Sequence, residues 1–133
     1  MIFIDTGAFI GRYVANDQYH QEALAFWLVI EKNRDRCVTT NFILDETLTL
    51  LGRRAGYPFA AQKGKLILTS KIFEIIRPVE EEEFEALAYF EKFSDQKVSF
   101  TDCVSLVTLH KRKIKRIFSF DHFFDKIGLK RLP

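Results

Sequence analysis

Ile2-Phe3-Ile4-Asp5-Thr6-Gly7 is the stretch on which the reading of the fold turns. Three apolar residues with β-branched character stop abruptly at an acid followed by Thr-Gly. That pattern reads as a buried strand turning directly into a helix. A chain that opens in this way starts inside its own sheet, and a carboxylate then stands just past the end of the first strand.

The same alternation recurs outward from there. Asp17 is expected to cap a helix running to about Asn33, where Ala23, Phe26, Trp27 and Ile30 fall at i, i+3, i+4 and i+7. Cys37 to Thr40 reads as a second strand, and Asn41 as the cap of a helix carrying Ile43, Leu44, Leu48 and Leu51 that ends near Gly56-Tyr57-Pro58. Pro58 suits the first turn of the next helix, to about Ser70, because its missing N–H is not needed there. Ile72 to Arg77 reads as a third strand closed by Pro78, and the acids Glu80 to Glu83 open a helix whose dipole favours them. A helix from Thr101 to Lys113, a fourth strand from Ile114 to Phe120, a short helix capped by Asp121 and a small edge strand within Gly128 to Leu132 complete the chain. Strands and helices alternating at this spacing predict a three-layer α/β domain around a mostly parallel central sheet of four to five strands. In such sheets ligands bind beyond the carboxyl ends of the strands.

Composition narrows the class. A chain of 133 residues with 47% hydrophobic and 29% charged residues, three prolines and no repeat is expected to form one globular domain over residues 1–133. A net charge of +2 is too small to indicate nucleic acid by itself, so the placement of charge has to decide. The two cysteines, Cys37 and Cys103, lie far apart and outside any Cys/His cluster, which disfavours structural zinc and a disulfide scaffold. The N-terminus lacks a basic signal-peptide region, and the apolar run Ala23 to Ile30 is far shorter than the ~20 residues of a membrane span. A soluble, cytoplasmic protein without membrane association is the expectation.

Four acids stand out. Asp102 lies in Ser99-Phe100-Thr101-Asp102-Cys103-Val104-Ser105-Leu106, on one helical stripe with Leu106 and Leu109. A capping box with Ser99 accounts for a charge there, but not for its apolar company. Asp5 and Asp121 each follow a strand, where either could also serve as a helix cap. Glu46 sits at the margin of an apolar helix face, with Asp45 rotated about 100° toward the polar side; the alternative for Glu46 is an ion pair with Arg53 or Arg54. Asp17, Asp35, Asp95 and Asp125 sit in caps or loops without apolar neighbours. Four carboxylates facing one crevice repel and require a counter-charge. All-oxygen ligation favours magnesium or manganese, ions that serve phosphodiester hydrolysis.

Asp5-Thr6-Gly7-Ala8, Asn41-Phe42-Ile43-Leu44-Asp45-Glu46-Thr47-Leu48, Ser99-Phe100-Thr101-Asp102-Cys103 and Ser119-Phe120-Asp121-His122-Phe123-Phe124 together resemble the PIN domain. The likeness is strongest to the VapC-like toxins of type II toxin–antitoxin systems, and it covers the whole chain. It implies a metal-dependent endoribonuclease, a homodimer, an antitoxin that blocks the site, and cleavage leaving 5′-phosphate and 3′-hydroxyl ends. By the same resemblance Asp5, Glu46 and Asp102 would hold Mg2+ or Mn2+, with Asp121 as the fourth acid. Thr6 and Thr101 would orient the carboxylates or a bound water. Gly7 departs from the pattern, standing where a serine is common.

RNA bound beside an acidic pocket also requires positive charge, and Arg12, Lys63, Lys65 and the run Lys111, Arg112, Lys113, Lys115 and Arg116 are the candidates for phosphate contacts. His20, His110 and His122 are expected in surface or cap roles, and Cys103 in packing. Two other classes compete. A receiver-like signalling domain also gathers acids to bind magnesium, but it wants two adjacent acids after the first strand and a late strand-end lysine, neither of which is present. A catalytically silent PIN module that binds RNA or protein is the other.

Overall fold

Ile2–Ile4 forms β1, buried along its whole length, in the computed structural model, which describes residues 1–133. It is followed by α1 (Thr6–Tyr13), α2 (His20–Asn33), β2 (Cys37–Thr40), α3 (Asn41–Ala55) and α4 (Tyr57–Thr69). Then come β3 (Phe73–Ile76), α5 (Glu80–Lys92), α6 (Phe100–Lys111), β4 (Arg116–Phe118), a 3-10 segment (His122–Ile127) and β5 (Lys130–Leu132). The strands form one sheet in the order β3-β2-β1-β4-β5, every neighbouring pair parallel. Every residue of β1 and β2 is buried, as a parallel sheet covered by helices on both faces requires.

The core joins these strands to Trp27 and Ile30 of α2, Phe9 of α1, Ile43 and Leu44 of α3, and Leu106 and Leu109 of α6. Trp27 Nε1 donates to the Ala8 carbonyl at 3.0 Å, which fixes α2 on α1. The two helices approach closely at Gly11, where a Cβ would lie 2.7 Å from the Cβ of Ala23.

All five expected strands are present, the first two with the expected limits and the last three trimmed. The fourth spans Arg116–Phe118 instead of Ile114 to Phe120, because its ladder to the short β1 pairs Phe3 with Ile117 and Ile4 with Phe118. Two caps also differ from expectation. Thr40, not Asn41, caps α3, its hydroxyl accepting from the Ile43 N–H at 3.1 Å. The helix after Asp17 begins only at His20, and Asp17 instead accepts from the Tyr19 N–H at 3.0 Å. Asp102 does lie on a buried stripe, but α6 is buried on nearly every side from Cys103 to Leu109, so the stripe singles out no face.

The strand order positions the site. From β1 the chain crosses to β2 on one side, whereas β4 leads to β5 on the other. The gap between the carboxyl ends of β1 and β4 is therefore the topological switch point of the sheet, where open α/β sheets bind ligands. The order also overturns the receiver-like alternative, whose sheet runs 2-1-3-4-5.

Candidate active site

Asp5, Glu46, Asp102 and Asp121 line one open cleft of about 490 Å³ at this switch point. Asp5 leaves β1 there, its N–H held by the Phe118 carbonyl of β4 at 3.1 Å. Glu46 comes from the second turn of α3, Asp102 from the first turn of α6, and Asp121 from the turn after β4. Burial grades from Asp5, 7% exposed, through the half-buried Glu46 and Asp102 to the exposed Asp121. The expected capping box is present: Asp102 N–H donates to Ser99 Oγ at 3.0 Å, and Ser99 N–H to Asp102 Oδ2 at 3.1 Å.

Ser119 escaped the sequence reading. Its hydroxyl donates to Asp5 Oδ2 at 2.6 Å and accepts the Asp121 N–H at 3.0 Å, while Asp121 Oδ1 takes the Phe123 N–H at 2.9 Å. The only signal in the chain was its place in Ser119-Phe120-Asp121, two residues before an acid at a strand end.

The electrostatics are those of crowded anions. Burial, first of all, pushes Asp5 up to about 7; Asp102 and Glu46 add to the rise, and the bonds from Ser119 and the Thr6 backbone oppose it. Asp102 is also raised, chiefly by burial, with Asp121 and Glu46 contributing against its Ser99 bonds. The chain's ion pairs all lie on other acids. Arg54, one of the two partners considered for Glu46, binds Asp17 at 2.8 Å instead. Asp17 thus reaches the cleft edge already neutralised, and Asp35 and Asp125 are likewise paired, with Arg116 and Arg131.

Nowhere in the chain do three acidic, histidine or cysteine side chains already stand in ligating geometry. The donor set still fits magnesium or manganese. Its ligands are carboxylate oxygens free of ion pairs, and the buried Thr6 Oγ1 in the same cleft has no hydrogen-bond partner. Magnesium is commonly held through one or two carboxylates with water completing the shell, so a closed cage is not required.

Other expected residues are not brought to the cleft. Thr101 lies in the first turn of α6 but does not line it. Arg12 stacks on Trp27, 4.7 Å from the ring centroid, and pairs with Glu31. Lys63 lies over Tyr13 and Phe59. Lys111 pairs with Glu82 and Glu85, and Arg112 with Glu74. Both stand at the far end of α6, about 13 Å along the helix from Asp102. Lys113 lines a separate hollow of about 560 Å³ that has no carboxylate in its wall. The exposed Lys97, which the sequence reading passed over, lines the acid cleft. No histidine does, and Cys103 is buried with its thiol pushed up to about 11 by burial and Asp102, which leaves it a packing residue.

A parallel α/β fold with four carboxylates at its switch point suits a ribonuclease. The chain belongs to the PIN-domain family, whose model matches residues 2–130. It is 35% identical over 124 residues to a VapC ribonuclease of Archaeoglobus fulgidus, covering 92% of this chain and 78% of that one. It is 28% identical over 130 residues to the 23S rRNA-specific endonuclease VapC20 of Mycobacterium tuberculosis, covering 96% and 95% of the two. The crystal structure of VapC20, described as a sarcin-ricin loop cleaving toxin, matches with a TM-score of 0.88 at 26% identity over 97% and 96% of the chains. VapBC2 from Rickettsia felis, at 13% identity and a TM-score of 0.69 over 98% and 97%, shares the fold.

Proposed function

We propose that residues 1–133 form one nuclease domain that cleaves RNA by metal-dependent hydrolysis, as the toxin of a toxin–antitoxin pair. The observation that carries this reading is the cluster of four carboxylates, none of them in an ion pair, at the switch point of a PIN-domain sheet. Asp5, Glu46 and Asp102 would hold Mg2+ or Mn2+, with Asp121 at the exposed rim. The bound ion supplies an activated water and neutralises charge on the phosphate.

The protein's own groups supply position. Ser119 fixes the carboxylate of Asp5, the capping box fixes Asp102, and Thr6 Oγ1 offers a free hydroxyl beside them. Water attacks the phosphodiester in line with the 3′-oxygen, the P–O3′ bond breaks, and 5′-phosphate and 3′-hydroxyl ends remain. The likeness to VapC20 makes a loop of 23S ribosomal RNA the first substrate to test.

An antitoxin that places an Arg or Lys side chain among the unpaired carboxylates would silence the site by charge-assisted hydrogen bonds. A homodimer belongs to the same reading. So does the cytoplasm, where the two free thiols stay reduced. Purified protein incubated with structured RNAs in magnesium, manganese or chelator tests the proposal. Cleavage is expected with metal only, and Asp102→Asn should reduce it to background while the fold survives. Undiminished cleavage by Asp102→Asn would overturn the assignment.

A further inference from the structure

One wall of the acid cleft is aromatic. Tyr19 and Phe120 line it together, their rings parallel within 3° and their centroids 4.3 Å apart. Phe120 lies between Ser119 and Asp121, so the turn that places two residues of the site also places this ring. Its inner surroundings are filled: Cβ atoms at Gly7 and Gly11 would lie 3.6 Å from the ring, and Phe118 meets it edge-on at 5.9 Å. Phe120 is the one aromatic neighbour of Tyr19. Both rings are half-buried, so part of each is open to the solvent of the cleft.

The charge around the pair sharpens its meaning. Four carboxylates repel an approaching phosphodiester, Arg54 is committed to Asp17, and Lys97 is the single cation in the cleft lining. RNA held here needs contacts that do not depend on the sign of charge. A nucleobase laid on an aromatic ring supplies such a contact, and unpaired bases of RNA loops are recognised in this way.

We infer that the Tyr19–Phe120 stack is a nucleobase subsite that holds an unpaired base of the RNA beside the scissile phosphate, Tyr19 being the contacting ring. Lys97, which lines the same cleft, meets the backbone of the same strand. The subsite rests on the ribonuclease reading for its role and accepts any base, since every base has a π-face.

The test uses a labelled RNA hairpin with an unpaired loop, bound in magnesium to the full chain carrying Asp102→Asn, with affinity read by fluorescence anisotropy. Adding Tyr19→Leu should weaken binding about tenfold, whereas Tyr19→Phe, which keeps the ring, should bind as the parent does. An abasic site at the stacked loop position should weaken binding by the parent and have no further effect on Tyr19→Leu. In the active chain the same substitution should raise KM more than it lowers kcat. Parental affinity in Tyr19→Leu, or an equal loss in Tyr19→Phe, would overturn the subsite. Failure of the active chain to cleave the hairpin overturns the ribonuclease reading instead, and the binding series still decides the subsite.

Discussion

Ser119 and Asp5, 114 positions apart, share a 2.6 Å hydrogen bond that locks the end of β4 to the end of β1. The same hydroxyl accepts from the Asp121 backbone, so one buried side chain sets the position of two acids. Ser119→Ala should remove a donor from a buried carboxylate and leave the Asp121 N–H without its partner. We expect a loss of about 1–3 kcal/mol in urea denaturation at neutral pH, together with weaker metal binding. Unchanged values for both would show that the bond is incidental.

Asp5 gives the metal-free protein a dependence on pH of definite sign. Its folded value of about 7 stands above the ordinary 3.8, so its burial is tolerated below about pH 4 and opposes folding increasingly as pH rises to 7. Asp5→Asn cannot ionise and should lack that dependence. In chelator, the stability of Asp5→Asn relative to the parent should grow between pH 4 and 7, by up to about 4 kcal/mol, and level off above. Chemical denaturation across this range measures it, and a pH-independent difference would contradict the assigned environment.

The same proton must leave when a cation binds. Below pH 7, magnesium affinity should rise by up to about tenfold per pH unit and flatten above, because the ligand must be deprotonated. Calorimetry in two buffers of different ionisation enthalpy should register proton release at pH 6 that fades by pH 8. Asp5→Asn should reduce it to what Asp102, also raised, gives up.

Lys97 and Lys111 should behave oppositely toward RNA. Lys97 lines the cleft, and its reversal to Glu is expected to weaken binding and reduce the salt slope by about one. Lys111→Glu alters a surface pairing with α5 at the far end of α6 and should leave the slope as it was. Salt titrations of binding by the two variants make the comparison.

Features set by local chemistry were the ones legible in the sequence. Apolar runs ending at Asp5 and Asp121, the Ser99–Asp102 capping box and the acid spacing on α3 are short-range patterns, and the structure brings all four acids to one cleft. Long-range pairings were not legible. Arg54 finds Asp17 across 37 positions rather than the nearby Glu46, and Ser119 looked like an ordinary residue between two phenylalanines. The placement of the basic run was not legible for a related reason: charge spacing marks a surface but not which end of a helix faces the site. Thr40 and Asn41 are both good caps, and only the backbone shows which one precedes the first helical turn.

The pairing of β1 with β4 also bears on the order in which the protein comes into being. During synthesis the chain emerges N-terminus first, and Asp5 is made long before Ser119 and Asp121. Until they follow, β1 lacks its neighbour on one side, Asp5 lacks its side-chain donor and the fourth carboxylate does not exist. A growing chain therefore has no complete four-carboxylate cleft until Asp121 has been added.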